Sequence, residues 1–171
     1  MNAPLPDAGL ARRLASLAYE SLLVGALLLV ASALITPLLT ALGPSLFATL
    51  LSQGFFATVL FAYFGWCWVR GGQTVAMKTW RIRLVDADGL TLRWRGALRR
   101  FAIALGLYVG LPALSYLGLA RHDGSLGQHL AIALLWWLLL PLSAWLDPER
   151  RFLHDRLAGT RQVLTPKKPR G

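Results

Sequence analysis

RGGQTVAMKTWRIRLVDADGLTLRWRGALRR, residues Arg70 to Arg100, decides the fold. Eight of the eighteen Lys and Arg residues lie in it, and long apolar blocks flank it on both sides. A segment so charged cannot cross lipid, and short basic loops collect on the cytoplasmic face. Fixing it there fixes the direction of every apolar block. Within it, Trp80, Ile82 and Leu84 alternate with Arg81, Arg83 and Val85, the period of two expected of a strand. Asp88-Gly89 supplies a turn, after which Leu90, Leu92 and Trp94 alternate with Thr91, Arg93 and Arg95. The pattern predicts a short cytosolic β-hairpin over residues 78–95, lying on the membrane surface. Its Arg81, Arg83, Arg93 and Arg95 would bind anionic lipid headgroups, each worth about 1 kcal/mol near the surface.

Working outward, 56% of the 171 residues are apolar, too many for an ordinary soluble domain. Four stretches are apolar enough to span a bilayer, which takes about 20 residues. They run over about 15–42, 46–69, 101–119 and 130–146. The predicted fold class is therefore an all-α membrane protein of four transmembrane helices, with the hairpin between helices 2 and 3. Residues 1–14 form a disordered, basic lead, 15–147 the membrane domain, and 148–171 a basic cytosolic tail. Pro37 marks the far end of the first helix or a kink in it. Glu20 within the first apolar run, and its continuation to Leu42, argue against a cleaved signal peptide.

The net charge of +10 could fit nucleic acid, but that reading needs basic residues gathered on a soluble fold. Here they sort by membrane side. Arg12, Arg13, the eight of residues 70–100 and the seven of residues 150–170 fall on one side, leaving Arg121 alone on the other. This split predicts a multi-pass protein of a bacterial inner membrane with both termini cytoplasmic, and no nucleic-acid partner. Cys67 is the only cysteine, so an intrachain disulfide or Cys-rich metal site is excluded. No zinc-ligand spacing, phosphate-binding loop or nucleophile elbow is present, and neither a cofactor nor enzymatic activity is expected.

Three stretches together resemble the RDD family of membrane proteins: ARRLASLAYESLL (Ala11–Leu23), GQTVAMKTWRIRLVDADG (Gly72–Gly89) and HDRLAGT (His154–Thr160). The family takes its name from one arginine and two aspartates. Arg13 matches the arginine and Asp155 the second aspartate, while Glu20 stands where the first aspartate would be. The charge is kept and the reach of the side chain changes. Some members of the family are associated with sodium–proton exchange, so the resemblance implies transport.

Arg13, Ser16 and Glu20 share one helix face, with about 10 Å of rise from Arg13 to Glu20. A charge inside a span costs about 3 kcal/mol on insertion scales and belongs in the bundle interior with a partner. The available partners are Arg13, Arg156 and the tail that carries Asp155. These four residues, Arg13, Glu20, Asp155 and Arg156, read either as an ion or proton site or as a salt-bridged clasp holding the tail to the first helix. Gln53 reads as an interhelical hydrogen-bond donor. His122, Gln128 and His129 fall on the opposite side of the membrane, His154 beside Asp155 is placed to titrate, and Asp86 and Asp88 serve the turn.

Two functions follow. One is a small monovalent cation/proton antiporter acting as a homo-oligomer, because four short helices hardly enclose a pathway alone. The other is a non-catalytic membrane interaction protein, an accessory subunit or assembly factor, whose basic hairpin docks a partner membrane protein.

Overall fold

The computed structural model describes residues 6–120, 125–145, 147 and 151–165. Helix α1 (Leu10–Leu42) has 33 residues and is about 50 Å long at 1.5 Å per residue, more than a bilayer core of about 30 Å requires. Pro37 lies inside it and does not end it. Nearby hydroxyls fold back on the helix: Thr36 donates to the Ser32 carbonyl (2.7 Å) and Thr40 to the Thr36 carbonyl (2.9 Å). Both polar groups are thereby satisfied in an apolar setting.

Helix α2 (Leu46–Arg70) starts where the Ser45 side chain accepts the Ala48 N–H at 3.1 Å. A five-residue helix, α3 (Val75–Thr79), and strand β1 (Ile82–Val85) follow. Helix α4 (Trp94–Leu105) passes through one π turn at Gly106–Gly110 into α5 (Leu111–Ala120). Helix α6 (Leu126–Leu142) returns alongside and closes with a 3-10 turn at Ser143–Trp145. Its indoles tie it down: Trp136 donates to Ser115 Oγ (2.9 Å) and Trp137 to the Tyr108 carbonyl (3.2 Å). Helix α7 (Leu153–Ala158) and strand β2 (Arg161–Leu164) end the described chain.

Three helical stretches, within Leu10–Leu42, Leu46–Thr79 and Trp94–Gly118, are long and apolar enough to cross a membrane; the fourth apolar helix is shorter. Their large side chains face outward: Leu22, Leu29 and Leu34 on α1 are each more than 70% exposed. Water would not tolerate so continuous an apolar surface, whereas lipid solvates it. The water-excluding core lies elsewhere. At one end of the helices Ala8, Trp68, Met77, Ile82, Leu84, Leu92, Ala97 and Phe101 pack together beneath a small cap. That cap is built from the segment after α2, the entry to α4, and the tail.

The predicted hairpin is replaced by a different pairing. The Asp86–Leu90 turn forms, with the Asp86 N–H donating to the Leu90 carbonyl at 2.9 Å. Beyond it the alternation breaks, because Leu92 is buried while Leu90 and Trp94 are exposed. Trp94 opens a helix whose Ala97 and Phe101 are buried at helical spacing. The partner of β1 is instead β2, antiparallel, with Ile82 opposite Leu164 and Val85 opposite Arg161. Nor is all of the lead loose: Pro6 to Ala8 lie along the other edge of β2, where Ala8 N–H donates to the Gln162 carbonyl at 2.8 Å. Residues 10–14 are already helical. Gly72 lets the chain pass close to β1: its φ is +67°, and a Cβ there would stand 2.8 Å from the Leu84 carbonyl oxygen. Gln53 is exposed on α2 and makes no hydrogen bond among the described residues.

Candidate functional site: two buried carboxylates

Arg13, Ser16 and Glu20 are all buried on the inner face of α1. The spacings of three and four residues align them, as a helix requires. Glu20 Oε1 accepts the Tyr63 hydroxyl of α2 at 2.7 Å, and Oε2 accepts the Thr74 hydroxyl. Thr74 also opens α3, its Oγ1 accepting the Met77 N–H at 3.2 Å. One hydroxyl thus donates to the carboxylate and caps a helix, using both of its capacities. Among the described residues no Lys, Arg or His nitrogen lies within 4.0 Å of Glu20. Its partners are neutral.

Asp155 is in the opposite situation. Gly159, left-handed at φ +64°, turns the chain after α7 so that Thr160 and Gln162 face back toward the carboxylate. Thr160 donates to Oδ1 at 3.2 Å and Gln162 Nε2 to Oδ2 at 2.7 Å. Arg100 of α4 forms a buried ion pair with Oδ1, and its guanidinium lies 4.4 Å from the Trp68 ring centre. Burial alone would raise the Asp155 pKa, but Arg100, His154 and the donated hydrogen bonds outweigh it and hold the carboxyl below its ordinary value. His154 Nε2 is 3.6 Å from Oδ1. Burial pushes the imidazole down to about 4, with Asp155 opposing and Arg100 assisting. At neutral pH the ring is therefore uncharged, stacked on Phe152 and edge-on to Tyr108.

The four residues singled out from sequence are divided between these environments. Arg13 forms no ion pair within 4.0 Å of Glu20 or Asp155 among the described residues; its guanidinium sits 5.9 Å from the Phe152 ring centre. Its Nε is buried with no hydrogen-bond partner among the described residues. Arg156 is two-thirds exposed and 3.7 Å from the mostly buried Asp147, and it pairs with neither Glu20 nor Asp155 among the described residues. The headgroup arginines divide as well. Arg81 donates to the Thr165 carbonyl (2.8 Å) and Arg83 to Thr91 Oγ1 (3.0 Å), whereas Arg93 and Arg95 remain exposed. On the opposite side, Gln128 serves the start of α6 by accepting the Ser125 N–H at 2.9 Å. His129 belongs to α6, and His122 lies outside the described residues.

Tyr63, Thr74, Arg100, Thr160 and Gln162 were not singled out from sequence. Thr74 carried a signal, a threonine directly after Gly71-Gly72-Gln73 and three residues before Met77, which is N-cap placement. Arg100 carried one too. Trp94, Ala97 and Phe101 have helical spacing, which leaves Arg100 beside the buried stripe.

Long apolar helices exposing their side chains, joined to a cap that buries the Arg100–Asp155 pair, define a helical membrane protein. The sequence model of the RDD family matches residues 7–159, and the chain belongs to that family. The match takes in Arg13, Glu20 and Asp155 with Tyr63, Thr74 and Arg100, and stops before Thr160 and Gln162. No curated protein and no solved structure matches the chain.

Proposed function

We propose that this protein is a small monovalent cation/proton exchanger of a bacterial inner membrane, with Glu20 as the exchanging group. The observation that carries the reading is the neutral surrounding of Glu20: two hydroxyls, from Tyr63 and Thr74, and no cation in contact among the described residues. A carboxylate so placed can take up a proton, or share a cation with hydroxyl oxygens, the hard donors such ions prefer. Asp155 is already matched by Arg100 and serves to hold the tail.

The cap and both termini face the cytoplasm in this reading, supported by the seventeen basic residues on that side against Arg121 on the other. The fourth apolar helix completes four spans. Its 17 α-helical residues rise about 25 Å and the 3-10 turn adds about 6 Å, close to a hydrocarbon core of about 30 Å. So few helices enclose a pathway only by self-association, so the working unit is a homo-oligomer. The alternative, a subunit docking a partner through Arg81 and Arg83, gains no support from side chains already engaged with Thr165 and Thr91. Purified protein in liposomes is expected to dissipate an imposed proton gradient when sodium or lithium is added. Liposomes that hold the gradient equally well with and without the protein would remove the proposal.

A further inference from the structure

A cleft of about 370 Å³ opens on the cap where the entry to α4 meets the turn after α7. Arg93, Arg95 and Arg99 line it, with Asp86 as the one carboxylate among its lining residues. Asp86 forms no ion pair with them within 4.0 Å among the described residues; its Oδ1 instead accepts the N–H groups of Asp88 (3.1 Å) and Leu90 (2.8 Å). The Arg93 and Arg95 side chains are exposed and bond nothing among the described residues. Arg99 is fixed, donating to the Ala158 carbonyl, and Gly159 keeps the wall thin: a Cβ there would stand 3.3 Å from the Arg99 Nη2.

Three guanidinium groups turned on one concave surface fit a phosphate, whose oxygens match their forked donors. What surrounds the cleft distinguishes a lipid from a free anion. Arg93 directly precedes, and Arg95 and Arg99 open, the helical stretch Trp94–Gly118 that is long and apolar enough to cross a membrane. An arginine cleft at the mouth of a membrane-spanning stretch lies at headgroup depth and suits a ligand with a charged head and a hydrocarbon body. We propose that this cleft binds the phosphate of an anionic phospholipid, with Arg93 and Arg95 as the recognising groups. Arg99 joins the site to the turn that carries Thr160, so a bound headgroup also braces the tail against α4.

The test is a lipid titration of the full-length protein in neutral detergent micelles, read by native mass spectrometry. The probes are phosphatidylglycerol, phosphatidylcholine and inorganic phosphate. Phosphatidylglycerol is expected to bind more tightly than either of the others. In Arg93→Gln/Arg95→Gln its affinity should fall about 30-fold, from about 1 kcal/mol per arginine. Arg12→Gln/Lys78→Gln removes the same charge from exposed positions outside the cleft and should change it little. Equal binding of phosphatidylcholine, or equal loss in both double variants, would overturn the site. Inorganic phosphate binding as tightly as phosphatidylglycerol would overturn the lipid as its ligand.

Discussion

Arg100 and Asp155, 55 residues apart in sequence, meet as an ion pair with side chains 5% and 1% exposed, and the tail is thereby fastened to α4. Removing one member of a buried pair strands the other charge, at a cost of about 3–5 kcal/mol. Asp155→Ala is expected to destabilise the cap by this amount and to expose the segment after Ala158. Limited proteolysis in detergent, with thermal unfolding followed in parallel, checks both. A variant as protease-resistant and as stable as the wild type would show that the pair fastens nothing.

His154 sets a pH dependence whose sign follows from burial. Its ordinary value of 6.5 is lowered to about 4 in the folded protein. Between these values the unfolded chain binds the extra proton and the folded one does not, so stability falls as the pH drops through that window. The loss by pH 4 is on the order of 3 kcal/mol. Asp155, lowered below 3.8, adds stability present above that pH and lost only at stronger acid. Melting temperatures measured from pH 7.5 to 4 should decline, and His154→Gln should flatten the decline.

Thr74 has two duties and Tyr63 one. Tyr63→Phe removes one donor to a charged group, worth about 1.5–3 kcal/mol. Thr74→Val removes a donor to the same carboxylate and the cap of α3, which adds about 1 kcal/mol. Denaturant unfolding is expected to rank Thr74→Val below Tyr63→Phe. The reverse order would show that the cap of α3 carries no weight.

The orientation is testable at the turn. With Cys67 replaced by Ala, a cysteine introduced through Asp88→Cys at the exposed bend should react with a membrane-impermeant maleimide only in inside-out vesicles. Labelling from outside intact cells would invert the topology and place the Arg93–Arg95 cleft on the wrong leaflet.

Much of the fold is legible in the sequence because lipid imposes one rule over long distances. Apolar runs become helices, and their ends are marked by Ser45, Gly71 and the basic segment. The alternation of Ile82 and Leu84 with Arg83 and Val85 also reads correctly as a strand. Its partner does not, because β2 lies about eighty residues away and local periodicity carries no information about it. The turn at Asp88-Gly89 looked like the bend of a hairpin, yet Trp94, Ala97 and Phe101 favour a helix, and burial against α2 decides between the two patterns. At the site, the inward face of α1 is plain from the spacing of Arg13, Ser16 and Glu20. That Asp155 finds Arg100, and Glu20 the hydroxyls of Tyr63 and Thr74, depends on tertiary placement that no spacing encodes.

The account rests on a division of labour between two acids, one free to exchange and one locked to an arginine. The most direct measurement follows sodium- or lithium-driven proton flux through Glu20→Gln reconstituted in liposomes, with thermal unfolding recorded on the same preparation. The account predicts that flux disappears while the protein stays folded and Arg100 keeps its hold on Asp155. Wild-type flux through Glu20→Gln would contradict it.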